Sequence, residues 1–275
     1  GQSISVVGSP HDLSAGAPGP IRATTEDQVC IFCHTPHNAS PVAALWNRRL
    51  SPQAYQVYTS QALTARPSQP TGSSKLCLSC HDGTVALGSV LSQPSPIRMS
   101  GGVTAMPKGP ANLGTDLRND HPISFRYDSA LASANGRLRD PGLLPHGMRL
   151  DNNRELQCTT CHDAHNNAFG KFLVMRNTNS ELCTSCHTIS QTDIQGHAQC
   201  IDCHQSHTAP SGPYLLNKQN TTKTCTSCHD GSHQGTSDIA SDLAKVSAHD
   251  TMSPVDPDGS YDSTTTCTSC HDPHT

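Results

Sequence analysis

The chain has 275 residues, of which 33% are hydrophobic and 4% aromatic, with 20 Gly, 20 Pro and a formal charge of −4. That length would support a normal apolar core, but so polar and turn-rich a composition leans towards loops unless something other than side chains fills the interior. No Lys/Arg run offers a nucleic-acid surface, and no apolar stretch approaches the roughly 18 residues of a membrane span.

Taken in order, the first element with chemistry in it is VCIFCHTPH, where Cys30, Cys33 and His34 form Cys-x-x-Cys-His and His37 follows three residues later. The unit recurs as Cys77/Cys80/His81. Residues 82–157 then carry no copy. Within them SQPSPIRMSGGVTAMPKGP (92–110) reads as a surface loop, with disorder as the alternative. Further copies follow at Cys158/Cys161/His162, Cys183/Cys186/His187, Cys200/Cys203/His204, Cys225/Cys228/His229 and Cys267/Cys270/His271. Between the last two, SDIASDLAKVSAH (237–249) is expected to be a helix, capped by Ser237 or Asp238, with Ile239, Leu243 and Val246 on one face.

The seven copies use all 14 cysteines. Cys-x-x-Cys-His is the attachment signature of c-type haem: two thioethers hold the porphyrin and the adjacent histidine reaches the iron. Zinc sites built from Cys-x-x-Cys pairs would leave one of seven unmatched, and disulfides would not need a histidine after every second cysteine. Seven haem c groups are therefore expected, with proximal ligands His34, His81, His162, His187, His204, His229 and His271. The porphyrins become the core, so the expected fold is mostly irregular and loop-rich, with short α-helices and little β, wrapped around a haem chain. Their propionates make the loaded protein strongly acidic.

The copies alternate. The first, third, fifth and seventh extend to Cys-x-x-Cys-His-x-x-His, adding His37, His165, His207 and His274, whereas the even copies do not. A 42-residue repeat separates Cys158 from Cys200 and Cys183 from Cys225, and aligns GKFLVMRN (170–177) with GPYLLNKQ (212–219), Gly on Gly, aromatic on aromatic and Leu on Leu. The seventh copy has no even partner in this sequence. Three residues span at most about 11 Å, so the +3 histidine cannot easily reach the far face of its own haem but can reach a neighbouring iron, pulling two porphyrins together. Seven irons need seven distal ligands, and ten non-motif histidines are present. The candidates are the four +3 residues together with His11, His121, His197 and His249, while His146 and His233 are weaker. Bis-histidine ligation gives lower potentials than His/Met ligation.

The run HDLS, VCIFCHTPHN, LWNR, SKLCLSCHDGTVA, LGTDLRNDHPISF, CTTCHDAHNN and GKFLVMRNTNSELCTSCH, over residues 8–187, resembles multihaem cytochromes of metal-reducing bacteria. More narrowly it resembles the tetrahaem subunit of extracellular cytochrome filaments. The resemblance implies that His11, His37, His121 and His165 are distal ligands of the first four haems, and that one distal ligand can come from an adjacent subunit. Residues 188–275, with three more haems, resemble the doubled Cys-x-x-Cys-His repeat of periplasmic and surface cytochromes.

The expected organisation is thus a tetrahaem region at 1–187 and a trihaem extension at 188–275, together one haem-cored unit. The expected role is long-range electron transfer as a filament subunit. A monomeric periplasmic or cell-surface carrier is the alternative, and a multihaem reductase with one open iron is less favoured because all seven copies end in His. No Ser/His/Asp arrangement or phosphate-binding Gly loop supports non-haem catalysis. Expected partners are further copies joined head to tail, with His37 or His274 ligating in trans, upstream periplasmic or outer-membrane cytochromes, and extracellular acceptors such as metal oxides. Export with removal of a signal peptide is expected, because c-type haems are attached outside the cytoplasmic membrane.

Overall fold

The computed structural model describes residues 5–189, 197, 199–245 and 266–274. Turns and irregular backbone dominate. Among the described residues the regular structure is six short α-helices, single 3-10 turns and one two-stranded sheet. The chain is loop-rich, as its composition requires. It divides into two compact units, Gly1–Leu117 with Pro122–His187, and Arg118–His121 with Thr188–Thr275.

The first unit holds α1 (Gly72–His81), α2 (Ser129–Asn135), α3 (Cys158–Cys161) and α4 (Glu181–Thr184). Strands β1 (Phe125–Arg126) and β2 (Glu155–Leu156) pair antiparallel, Phe125 opposite Leu156. α2 starts where the Asp128 carboxylate accepts from the Leu131 amide at 3.0 Å, and stops at Gly136, whose φ of 72° is left-handed. In place of one large core there are small apolar clusters. Phe32, Leu87, Val90, Ile97 and Met99 form one, with Cys33 and Cys80 packed against it. Phe125, Tyr127, Ala132 and Leu156 form another, flanked by Cys186, and Tyr55, Leu78 and Leu117 form a third.

Residues 92–110 are not simply a surface loop, because Ile97 and Met99 are buried in the first cluster. The segment is held by backbone bonds from Ile97 N–H to the Gly88 carbonyl (2.8 Å) and from Leu87 N–H to the Thr104 carbonyl (2.7 Å). Gly88 permits this approach, since a Cβ there would fall on the Ile97 carbonyl oxygen. Arg48 is fully buried and donates to the carbonyls of Leu87 (2.6 Å), Ala86 (2.9 Å) and Ser79 (3.3 Å), joining the loop after the first motif to the region of the second.

The second unit contains α5 (Thr221–Thr226), capped by Asn220 through a 2.8 Å bond from the Lys223 amide, and α6 (Ala240–Leu243). α6 replaces the longer helix expected over 237–249. Its four residues form one turn, and Val246 lies outside the described residues. Asp238 does act as an entry cap, accepting from the Ser241 amide at 3.0 Å. Among the described residues Ile239, at the start of the turn, is exposed, and helix stability in proteins comes mainly from burying a face. Among the described residues no helix is long and apolar enough to cross a membrane.

Candidate haem-binding sites

Each Cys-x-x-Cys-His copy begins on a single helical turn. The carriers are α1, α3, α4 and α5, and 3-10 turns at Val29–Phe32, Cys200–Asp202 and Cys267–Ser269. The histidine amide closes the turn by donating to the first cysteine's carbonyl, at 2.8 Å for His34 and His204, 2.9 Å for His162 and His187, and 3.0 Å for His229 and His271. Positions i, i+3 and i+4 share one helical face. The spacing therefore presents two thiols and an imidazole to the same side, which is what a doubly tethered, axially ligated porphyrin needs.

None of the 14 cysteines is paired in a disulfide, and they differ in burial. Most of the thiols are half-buried, whereas Cys30, Cys228 and Cys270 are exposed. Cys270 stands out among them, because the proximal histidine beside it, His271, is exposed as well. The reason lies in how the last motif is held. Its 3-10 turn packs on α5, where Cys267 approaches Cys225, whereas Cys270 follows the end of that turn and is fixed by a backbone bond of 3.3 Å to the Cys267 carbonyl. The turn geometry at Cys270 still matches that of the other copies. Burial by protein does not.

The odd motifs share a second device. After the +3 histidine the chain loops back to pair with the motif, bridging His34 to Trp46, His162 to Leu173 and His204 to Leu216. The second cysteine's carbonyl accepts from Asn47, Val174 and Asn217 respectively, at 2.9, 3.0 and 2.8 Å. This corrects the expected alignment of 170–177 with 212–219. Leu173 corresponds to Leu216, and the left-handed pair Lys171–Phe172 (φ 49° and 56°) corresponds to Tyr214–Leu215 (φ 64° and 52°). The return segment is shifted by one residue, so aromatic does not fall on aromatic. Backbone hydrogen bonding sets the register, and side-chain likeness gives it wrongly.

The proximal rings are oriented by backbone carbonyls. Nδ1 lies 2.6 Å from the Ala111 carbonyl in His81, 2.9 Å from Lys171 in His162, 2.8 Å from Tyr214 in His204 and 3.3 Å from Ser237 in His229. Donation from Nδ1 leaves Nε2 as the free lone pair, the arrangement a metal-bound histidine takes. The Nδ1 atom of His34 is buried without a partner.

Four candidate distal histidines face proximal ones. Ring centres are 6.0 Å apart for His34 and His165, 6.1 Å for His81 and His11, 5.9 Å for His204 and His274, and 6.3 Å for His229 and His197. An iron held by two imidazoles at about 2 Å each, with about 1 Å more from nitrogen to ring centre, separates ring centres by roughly 6 Å. The residues fit the group. The pairs also follow a rule: a +3 histidine faces the proximal histidine two motifs earlier, and a histidine ahead of an odd motif faces that of the next even motif. His11 is further seated by Phe172, stacked at 4.1 Å, and its Nδ1 lies 3.3 Å from the Ala164 carbonyl. Burial lowers its pKa, which favours the neutral, ligating form.

For the other candidates the described contacts are of other kinds. His37 is exposed, with its amide 3.3 Å from the Thr35 hydroxyl, and among the described residues its ring meets no motif histidine. His207 sits 3.1 Å from the Asp120 carboxylate. The backbone amide of His121 donates to the Ser206 carbonyl at 2.8 Å. His146 and His233 are both exposed, and His233 has Asp230 at 3.8 Å. His249 lies outside the described residues. Sequence reasoning did not find Asp120, Phe172 or the carbonyls that orient the rings. Asp120 stands beside a histidine that was singled out, but its relation to His207 spans 87 positions.

Thiols of successive motifs lie together. Burial and then the Cys80 thiol push Cys33 up to about 11. A hydrogen bond with Cys158, followed by burial, raises Cys77 well above the ordinary thiol value. Burial and then Cys186 push Cys161 up to about 12. In the second unit, burial, Asp202 and Cys228 raise Cys203, while burial and then Cys267 push Cys225 up to about 12. Neighbours in sequence are thus neighbours in space, motifs one to four in one unit and five to seven in the other. Helix α1 packs on α3, and α5 on the last 3-10 turn, which brings these pairs together.

Residues 152–191 and 194–234 match the family described as "Doubled CXXCH motif". Each match encloses one odd and one even copy. The chain is also 24% identical over 167 residues to the multiheme cytochrome MtrA of Shewanella baltica (strain OS185), covering 55% of this chain and 48% of that protein. It therefore spans about half the length of the curated relative it matches. The repeated Cys-x-x-Cys-His units and both similarities support one description of the chain, that of a multihaem c-type cytochrome.

Proposed function

We propose that this protein is an electron carrier, moving electrons over long distances through seven bis-histidine c-type haems. The observation that carries the reading is the set of four histidine pairs spaced near 6 Å, on motifs whose thiols adjoin in sequence order. Haem supplies one-electron redox chemistry. The chain's own residues tether it through the 14 cysteines, ligate it on the motif side and close the far side with a second imidazole. His165, His11, His274 and His197 are the distal ligands for motifs one, two, five and six, and the remaining three are drawn from His37, His121, His207 and His249. Two strong axial ligands leave no open coordination position, which favours a carrier over a reductase.

In this reading the protein is the repeating subunit of an extracellular or cell-surface filament. His37 is the favoured trans ligand. His274 already faces His204 within the chain, whereas His37 is exposed and the register of the other +3 histidines directs it to a haem outside these seven motifs. A second copy, joined head to tail, would supply that haem, and such a heterologous contact builds an open filament. Upstream periplasmic or outer-membrane cytochromes would deliver electrons, and metal oxides outside the cell would accept them. A pyridine haemochrome assay should give seven haems per chain, and the reduced protein should respond little to carbon monoxide. Six or fewer haems would break the motif reading, and a stoichiometric carbon monoxide response would restore the reductase. Microscopy of purified holoprotein should show filaments, whereas discrete particles only would select the monomeric carrier.

A further inference from the structure

Among the +3 histidines, His207 has an environment of its own. Its Nδ1 lies 3.1 Å from Oδ1 of Asp120, a carboxylate only 4% exposed. The same oxygen accepts from the Thr208 amide at 3.2 Å, and Oδ2 is buried without a partner. The pair is held by the backbone on both sides. Asn119 and Ala209 exchange bonds of 2.9 and 3.2 Å, and the His121 amide donates to the Ser206 carbonyl at 2.8 Å. The matching contacts elsewhere are weaker. Asp163 and Asp272 approach His165 and His274 only to 3.8 Å, outside hydrogen-bond range, and both are substantially exposed. The sequence shows why: the third and seventh motifs read His-Asp-x-His, but the fifth has Gln205 in place of that aspartate.

A buried carboxylate is costly unless a nearby group carries positive charge, and the ion-pair partner of Asp120 among the described residues is His207. A metal-bound imidazole meets that need, because the metal withdraws electron density and the ring N–H becomes a stronger donor. In turn, an anionic acceptor on Nδ1 fixes the tautomer and raises the basicity of Nε2. Poor screening at a buried site enlarges the effect. We infer that Asp120 is a positioning residue for His207, holding Nε2 towards the iron and lowering the reduction potential of the haem His207 ligates. This rests on the reading that His207 is a distal ligand. It adds that one haem is tuned to favour the ferric state by a carboxylate 87 positions away in sequence.

The test is a potentiometric titration of holoprotein, followed by optical and electron-paramagnetic spectra. Removing an outer-shell partner of this kind changes metal affinity by about tenfold or more. Asp120→Asn should therefore shift one of seven one-electron steps to higher potential by about tenfold in the oxidised-to-reduced ratio, or about 59 mV. Haem content and low-spin state should not change. Asp163→Asn and Asp272→Asn should shift their steps far less. Asp120→Glu, which keeps the charge but displaces it, should move the same step partway, and it serves as the readout if the Asn variant fails to assemble. Unchanged potentials in the Asn variant, or in the Glu variant if only that one assembles, would overturn the role of Asp120, provided His207→Ala still yields one high-spin haem. If His207→Ala leaves every haem low-spin, the ligand reading itself fails, and the inference with it.

Discussion

Replacing Gln157 with Leu should loosen the joint between the second and third motifs. Gln157 is 1% exposed and caps α3, the turn that carries Cys158 and Cys161. Its Oε1 accepts from the hydroxyls of Ser74 (2.6 Å) and Ser124 (3.1 Å), and its Nε2 donates to Thr71 (3.0 Å), Asp151 (3.0 Å) and Glu155 (3.1 Å). Ser74 lies on α1 with the second motif, so one side chain spans both haem-bearing helices. Leu has similar bulk but strands two fully buried hydroxyl donors. At about 1–3 kcal/mol for each unsatisfied group, the loss is about 2–4 kcal/mol, allowing for some rotation of the hydroxyls. Guanidinium unfolding of holoprotein should show a lower midpoint with an unchanged slope. Gln157→Glu keeps the acceptor but adds a charge beside Asp151 and Glu155. Its deficit should therefore shrink as pH falls through the carboxylate range and the group becomes protonated. A Gln157→Leu midpoint equal to that of the unmodified protein would refute this view of the joint.

Other outcomes can be read from spectra and melts. His165→Ala and His274→Ala should each leave seven covalent haems but convert one to a high-spin form that binds carbon monoxide, and the double variant should convert two, because their ring partners His34 and His204 belong to different motifs. His37→Ala should abolish or shorten filaments in micrographs and leave one haem high-spin; normal filaments with every haem low-spin would remove His37 from the joint. Gly88→Ala should destabilise the first unit by about 2 kcal/mol or more, read as a lower melting temperature, since the new Cβ meets the Ile97 carbonyl and not a movable side chain.

The chemistry of the site was legible in the sequence because it is local. Cys-x-x-Cys-His is a single helical turn read along the chain, and the +3 histidine is fixed by the reach of three residues. The loop-rich fold followed from a composition that cannot bury much of its own surface. The partners of the rings were not legible, since they depend on contacts such as His11 with His81 or Asp120 with His207, which join distant segments. Burial of the cysteines was hidden for the same reason: Cys80 packs on a core cluster and Cys270 is exposed, although each closes a copy of the same pattern. The register of the return segment was misread for a related reason. Similar side chains at 170–177 and 212–219 suggested one alignment, while the left-handed residues and the bridges to His162 and His204 enforce another. Residues 92–110 looked like loop from their Gly and Pro content. Two apolar residues among them, Ile97 and Met99, were enough to draw the segment into a core cluster.

The most direct test is a reconstruction of the haem-loaded protein at side-chain resolution, with each iron's two axial ligands identified. Irons are expected between His34 and His165, His81 and His11, His204 and His274, and His229 and His197, with the haems of motifs one to four, and of five to seven, adjacent in sequence order. A first-motif iron bound by any residue other than His165 opposite His34, or an iron with an open face, would contradict the bis-histidine conduit.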